Sequence, residues 1–242
     1  MKAWGSTLLF VLVGTALQAR ASIVYFENFN SEPGSCWSHR SVATTPLGER
    51  FLGRDSLRGF SGSELVTLTL DLPAHNEVVL EFDMYVIGSW NGITTQTGKG
   101  PDLFFVSVQT AYGPTSFLTS FSNVTNNPQS YPAPFGLGSH APRTNASAVD
   151  ELGYGLDSVY HLCLSFPHVG DEIVVAFGAM LSEPLNDESW GLDNVRVSAH
   201  PEPSAAILLV GTWLGFQRSL ARRPKRPIKP NAPPVAEGPD QA

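Results

Sequence analysis

Two acidic residues near opposite ends of the apolar part of the chain have the surroundings of a cation site. Glu27 alternates with apolar residues on both sides, and Asp193 alternates with Val195 and Val197. This spacing predicts that each carboxylate lies on the apolar face of a strand, where it must be neutralised, paired or bound to a cation. If the terminal strands are neighbours, the two carboxylates could bind Ca²⁺ together with backbone carbonyl oxygens. The alternative is that Asp193 bonds the backbone at an edge strand or a bulge, and both interpretations remain open.

A second group of polar residues follows the strand expected over 78–87. Trp90, Asn91 and Asp102 lie where the chain leaves this strand and returns on the next one. An indole ring beside amide and carboxylate groups could stack on a sugar and hydrogen-bond its hydroxyls. In the alternative interpretation, Trp90 caps the core and Asp102 holds the loop by accepting hydrogen bonds from backbone N–H groups.

The sequence lacks the common catalytic motifs. It has no G-x-S-x-G nucleophile turn, and its six histidines never occur at the H-E-x-x-H spacing of a metalloprotease. Glu81 and Asp83 share a strand face and in principle could serve a glycosidase, but such a pair more often marks the solvated side of a strand. The sequence therefore predicts a protein that is not an enzyme, with a polysaccharide hydrolase as the less favoured alternative.

Cys36 and Cys163 are the two cysteines of the chain. In an oxidising compartment a single pair of cysteines is typical of a disulfide, which we predict here. Two separate buried thiols are the alternative.

The strands that must position these residues are visible as alternation of apolar and polar side chains. The segments with this period are 66–71, 78–87, 104–108, 160–166 and 173–179. Turn-forming residues separate them, and no amphipathic helix of useful length occurs between 22 and 200. The predicted fold class is all-β, an antiparallel β-sandwich or jelly roll formed by residues 22–200.

The stretch 120–155 interrupts this pattern, because it is crowded with Asn, Pro, Ser and Gly. We interpret it as a long surface loop or insert. Tyr131, Phe135 and Tyr154 make it a candidate contact surface, and disorder is the alternative.

Residues 1–21 have the pattern of a secretory signal peptide. Lys2 precedes an apolar run over 8–17, and the Ala19-Arg20-Ala21 cleavage pattern follows. The mature domain over 22–200 has 19 acidic and 7 basic residues, a net charge of −12. This charge argues against nucleic acid as a partner and suits either calcium binding or plain solubility.

The C-terminal part carries three features in a fixed order. Pro201-Glu202-Pro203 is followed by an apolar stretch over 204–216, where we expect a short helix, and then by a basic cluster. The basic residues are Arg218, Arg222, Arg223, Lys225 and Arg226. The apolar stretch is short for a hydrocarbon core of ~30 Å, and the positive-inside rule places the basic cluster in the cytoplasm. The Pro-rich tail over 227–242 is predicted to be disordered.

This arrangement resembles the PEP-CTERM sorting signal of bacterial exported proteins, with 201–226 as the sorting and anchor segment. The resemblance implies export, a temporary hold in the cytoplasmic membrane with the C-terminus inside, and processing by an exosortase near Pro201. The final location would be the cell envelope, the cell surface or the extracellular space. More weakly, Tyr25-Phe26-Glu27, Cys36-Trp37 and the segment from Trp190 to Asp193 resemble the ends of concanavalin-like jelly rolls of the MAM type.

Together these patterns predict an exported, non-enzymatic β-sandwich protein of the cell envelope or extracellular matrix. Ca²⁺ is the one cofactor that the sequence suggests. A carbohydrate-binding module is the alternative function, and extracellular polysaccharide is then the expected partner.

Overall fold

The computed structural model describes residues 21–110 and 113–201, and these residues form eleven strands. In chain order the strands are β1 (Ser22–Glu27), β2 (Val42–Thr44), β3 (Arg50–Leu52), β4 (Leu65–Asp71), β5 (Glu77–Gly88), β6 (Leu103–Thr110), β7 (Gly113–Ser120), β8 (Ala148–Val149), β9 (Asp157–Pro167), β10 (Glu172–Met180) and β11 (Glu188–His200). The described part of the chain contains no helix with the length and apolarity that a membrane span requires. Residues 1–20 of the predicted signal peptide, residues 202–226 of the predicted sorting segment and the tail over 227–242 lie outside the described residues.

The strands form two antiparallel sheets. The larger sheet has the order β2-β3-β11-β5-β9-β8, with β1 also paired to β11, and the smaller sheet has the order β4-β10-β6-β7. Apolar residues of both sheets meet in one main core, so the molecule is a β-sandwich. The all-β antiparallel class predicted from the alternation is confirmed.

Alternation along β5 explains how the large sheet can be buried on both faces. Phe82 and Met84 lie in the main core, whereas Tyr85 and Ile87 lie in a second apolar cluster on the outer face of the sheet. Phe51 of β3 packs on Tyr85 in this outer cluster, with ring centroids 5.2 Å apart. The outer cluster holds the short β2–β3 hairpin and the loop before β9 against the sheet.

A β-bulge in β11 reverses which face its side chains occupy. Asn194 has a φ of 51°, a left-handed conformation that Asn tolerates better than most residues. Before the bulge Asp193 pairs with Asp83 on the outer face, and after it Arg196 pairs with Glu81 on that same face. The valines that follow Asn194 therefore point into the main core, although Asp193 does not.

The segment 121–147 between β7 and β8 has little strand structure but packs closely on the rest of the domain. Phe121 is fully buried, and its ring centroid lies 4.3 Å from that of Tyr160 in β9. Gln129 is also fully buried, and its Oε1 accepts hydrogen bonds from Ser122 N, Arg143 N and the Tyr160 hydroxyl. The segment closes one side of the core in addition to covering surface.

Two groups of buried polar residues lie at opposite ends of the long strands. One end, which we call the acid end, carries buried Asn91, Asp102 and Glu188 and half-buried Glu183 in the loops and strand ends around Gly88. The other, the histidine end, carries His75 and His168 in the loops next to Glu77 and Pro167, which pair where β5 meets β9.

Candidate functional site

Asp102 fastens the loop between β5 and β6 at the acid end. Its side chain is fully buried, and Oδ2 accepts a hydrogen bond from the backbone N–H of Asn91 at 2.5 Å. Oδ1 accepts a longer bond of 3.4 Å from Ser182 N, and the backbone N–H of Asp102 donates to Gly92 O at 2.9 Å. One carboxylate thus joins the β5–β6 loop to the β10–β11 loop.

The Asn91 side chain connects a third part of the chain, the 121–147 segment, to the same network. Its Nδ2 donates to Ser89 O at 2.7 Å and to carboxylate oxygens of Glu183 and Glu188 at 2.9 and 3.2 Å. Its Oδ1 accepts from Asn127 Nδ2 at 2.7 Å. Since each polar atom of the amide has a protein partner, Asn91 acts as a structural link.

Burial controls the charge of the acid end. Glu188 is almost completely buried, and desolvation, strengthened by the neighbouring charge of Asp102 and a hydrogen bond to it, raises the pKa of Glu188 to about 9. Burial also raises the pKa of Asp102 above its ordinary value. The Glu188 carboxyl therefore keeps its proton at neutral pH. Lys99 pairs with Glu183 at 2.5 Å at the exposed edge of this network.

The structure corrects the sugar-stacking interpretation of Trp90, Asn91 and Asp102. Trp90 is fully buried, its Nε1 donates to Ser189 O at 3.0 Å, and its ring packs against Phe121. Stacking requires an exposed ring face, which Trp90 does not present. The three residues are brought together, but as the closure of the sandwich end.

Glu27 and Asp193 lie on neighbouring strands but on opposite faces of the large sheet. Glu27 pairs with Val195, whose side chain is in the main core, whereas Asp193 lies on the outer side of the bulge. The Tyr85 hydroxyl donates to Asp193 at 3.0 Å, and burial raises the pKa of Asp193 to about 6. The structure does not bring the two predicted calcium ligands together, because the bulge at Asn194 changes which residues of β11 face the core. Within the described residues, no group of three or more His, Cys, Asp or Glu side chains could hold a metal ion.

Cys36 and Cys163 are separate thiols, which corrects the predicted disulfide. Cys36 packs against the main core, and its Sγ donates to the Tyr25 hydroxyl at 3.6 Å. Cys163 pairs with Glu81 on the outer face of the large sheet and is exposed. The two side chains therefore lie on different faces of that sheet.

An open pocket of about 320 Å³ lies beside the acid end, where several loops meet. It is lined by Leu57, Arg58, Gly59, Ile87, Tyr154, Leu185, Asn186 and Ser189. Tyr154 is half-buried and packs on the outer apolar cluster, and its hydroxyl has no hydrogen-bond partner among the described residues. Burial raises the pKa of Tyr154 to about 12, so the hydroxyl stays neutral. We call this site the Tyr154 pocket.

No protein-family model and no curated protein match the chain. Among solved structures, it is similar to CBM35 from Cellvibrio japonicus Abf62, with 8% identity, a TM-score of 0.36, and coverage of 75% of this chain and 94% of that chain. It is also similar to a GH115 4-O-methyl-α-glucuronidase with specificity for decorated arabinogalactans, at 14% identity and a TM-score of 0.35 over 73% of this chain. A third similar structure is an exo-β-1,3-galactanase from Phanerochaete chrysosporium with galactose, at 13% identity and a TM-score of 0.29 over 73% of this chain.

The chain spans 17% of the glucuronidase and 29% of the galactanase.

Sequence reasoning missed two members of the acid end, Glu183 and Glu188. Both precede Trp190 by a few positions in the sequence. Carboxylates just before the start of an apolar strand were the sequence feature that could have pointed to them. Tyr154 was expected in a contact surface together with Tyr131 and Phe135, but only Tyr154 lines the pocket at this end. The partners of Tyr154 come from loops far away in the sequence, so no local pattern could have predicted the pocket.

Proposed function

We propose that this chain is an exported, non-catalytic β-sandwich protein of the cell envelope or extracellular matrix that contacts polysaccharide through the Tyr154 pocket. The carrying observation is the make-up of that pocket, in which a tyrosine ring and leucine side chains lie beside an amide, a guanidinium group and a hydroxyl. Export is inferred from the signal-like residues 1–21 and from the PEP-CTERM-like segment 201–226.

The chemistry of the pocket suits a sugar ring. Sugars present C–H faces that pack on aromatic and aliphatic side chains, and hydroxyls at the ring edge that need hydrogen-bond partners. Tyr154 and Leu57 offer the apolar surface, and Leu57 is 71% exposed. Asn186 supplies an exposed polar group, and Ser189 lines the pocket as a buried residue.

Rigid loops support this assignment. Asp55 accepts hydrogen bonds from the backbone N–H groups of Leu57 and Arg58 at 3.0 and 3.1 Å, and it also pairs with the Arg58 guanidinium. Asp157 accepts from Tyr154 N at 3.0 Å. Because both walls of the pocket are held by carboxylates, little ordering is needed when a ligand binds.

A non-catalytic role is supported by the state of four carboxyl groups in the acid end and in the loops that form the pocket. Asp102 and Glu188 are buried and bonded to the loops, and Asp55 and Asp157 hold backbone N–H groups. Hydrolysis of a glycoside requires two carboxyl groups that flank the scissile bond. The carboxylates here are engaged in holding the fold.

Binding of the purified full-length chain to immobilised neutral polysaccharides tests the proposed contact. We expect Tyr154→Ala to lower the affinity by about tenfold or more, since a central aromatic side chain usually dominates a small site. Tyr154→Phe keeps the ring and should retain most of the affinity.

Phe135→Ala is the matched control, because it removes an exposed aromatic side chain from a different surface. Equal binding by wild type and Tyr154→Ala would exclude the pocket as the site, provided that both proteins have the same melting temperature.

The sorting part of the proposal has its own measurement. Mass spectrometry of the mature protein from cells with an active exosortase should find the chain shortened near Pro201. An intact C-terminus in such cells would contradict this part and leave the binding experiment unaffected.

A further inference from the structure

The basic residues of the domain are unevenly distributed. Residues 22–200 carry only seven basic residues, and four of them lie between positions 40 and 58. They are Arg40, Arg50, Arg54 and Arg58. In a domain with a net charge of −12, this concentrates basic side chains around the β2–β3 hairpin, a surface that we call the arginine patch.

A pocket of about 430 Å³ lies in this patch, a volume typical of sites for small ligands. It is lined by Glu32, Arg40, Ser41, Val42, Arg50 and Ser56. It adjoins the Tyr154 pocket along the chain, because Ser56 lines one pocket and Leu57 and Arg58 line the other.

The geometry of the β2–β3 hairpin explains how the Arg50 side chain comes to line this pocket. Val42 pairs with Leu52, and Thr44 pairs with Arg50. Alternate residues share a face, so Arg50 lies on the face whose other members contact the main core. Towards the hairpin turn this face emerges from the core, and Arg50 is exposed there.

The charges of the patch are only partly neutralised. Arg40 pairs with Glu32 at 2.8 Å, and its Nε donates to Pro33 O at 2.9 Å, which fixes its orientation. Arg54 and Arg58 pair with Glu64 and Asp55. Arg50, by contrast, has no ion pair and no side-chain hydrogen bond among the described residues. It is the arginine of the patch whose guanidinium remains available for an external anion.

We propose that Arg50, supported by Arg40, binds the carboxylate of a uronic-acid-containing polysaccharide in this pocket. A guanidinium group matches a carboxylate in a two-bond geometry. Ser41 and Ser56 place hydroxyl groups in the same pocket, as a sugar ring beside the carboxylate requires. The ligand is taken to be a saccharide because of the function proposed for the adjoining Tyr154 pocket, and in that respect the inference rests on it.

The charge of the whole domain selects among anions. A ligand with dense charge, such as DNA with one charge per ~1.7 Å of helix axis, would be repelled by the acidic surface around the patch. A polyuronate carries at most one charge per sugar ring and presents hydroxyls between its charges. It can place one carboxylate on Arg50 without bringing many others close to the acidic surface.

The experiment measures binding of the full-length chain to polygalacturonate at low salt. We expect Arg50→Ala to weaken binding by roughly tenfold, and Arg50→Lys to recover part of that loss because a point charge replaces the planar fork. The matched control is Arg196→Ala, which removes the same charge from an arginine paired with Glu81 elsewhere. It should change the affinity by less than about twofold if binding is local rather than a response to net charge.

Competition by small molecules tests the chemistry of the ligand. Glucuronate should displace polygalacturonate, and glucose, which lacks the carboxylate, should not do so at the same concentration. The inference is overturned if wild type does not bind polygalacturonate, if Arg50→Ala and Arg196→Ala are equally weak, or if poly-glutamate or inorganic phosphate competes as well as glucuronate.

The two proposals fail separately. Weaker binding of Tyr154→Ala to neutral polysaccharide tests the Tyr154 pocket. Weaker binding of Arg50→Ala to polygalacturonate, with binding to neutral polysaccharide unchanged, tests the pocket that contains Arg50.

Discussion

The two ends of the sandwich bury ionisable groups in opposite ways. At the acid end Glu188 keeps its proton beside Asp102, and the network joins loops from three parts of the chain. At the histidine end His75 and His168 form a smaller contact, in which His75 Nε2 lies 2.8 Å from His168 Nδ1 and the rings are stacked. In both places burial disfavours the charged form, which is the protonated form for histidine and the deprotonated form for a carboxyl group. The ends are therefore expected to weaken in opposite directions of pH.

The protonation pattern of the histidine pair follows from its partners. His75 Nδ1 lies 2.6 Å from Pro73 O, which can only accept, so His75 Nδ1 carries a hydrogen. Nε2 of neutral His75 then accepts from the Nδ1–H of His168. Protonation of both rings would point two N–H groups at each other. This repulsion adds to the larger effect of burial, and both lower the pKa of His168.

The largest expected effect comes from breaking the acid end at Trp90. Trp90→Ala removes a fully buried ring that packs on Phe121 and should lower the free energy of unfolding by ~3–5 kcal/mol. Trp90→Phe should retain a good part of that stability. Urea unfolding followed by circular dichroism measures both variants.

A contrary outcome is equally informative. If Trp90→Ala were as stable as wild type but failed to bind polysaccharide, the ring would act as a ligand platform and the structural role given to it here would be wrong.

The strands could be predicted from the sequence, because each long strand pairs over most of its length and its alternation is set by one buried face. Met84, Leu162 and Phe177 are examples in which the local pattern alone places a side chain in the core. The same rule failed at Asp193, since one extra residue at Asn194 reverses the face without changing the composition. A bulge depends on the partner strand, which a single strand does not reveal.

The candidate sites were harder to predict for the same physical reason. Trp90 has the composition of a ligand platform, and only the packing of Phe121, thirty-one positions later in the printed sequence, shows that its ring is covered. The clustering of arginines between 40 and 58 is visible in the sequence, but the freedom of Arg50 depends on where Glu32, Glu64 and Asp55 lie. Contacts between distant segments decide both cases.

A smaller effect per pH unit is expected from Glu188→Gln, which sharpens the comparison at high pH. The folded-state pKa of Glu188, about 9, lies above its ordinary value of 4.5, so the folded chain keeps a proton that the unfolded chain releases. The stability from this group is fully present below pH 4.5 and is lost as pH rises towards 9, at no more than ~1.4 kcal/mol per pH unit. Gln resembles the protonated acid and does not titrate, so the variant should show a flatter decline in urea unfolding between pH 5 and 9. An unchanged slope would contradict the assignment of a retained proton to Glu188.

The smallest effect is expected at the histidine end, and it has the opposite sign. The pKa of His168 in the folded chain lies below its ordinary value of 6.5, so stability from this group is present above pH 6.5 and is lost as pH falls below it. His168→Asn keeps a polar group near the position of Nδ1 and cannot become charged, so it should lose less stability than wild type between pH 7.5 and 5. His161→Asn is the control, because it removes an exposed histidine on the outer face and leaves the buried pair intact. If the loss of stability at acid pH disappeared in His161→Asn but not in His168→Asn, the buried histidine pair would not be the source of that loss. The histidine end would then lack the acid response that distinguishes it from the acid end.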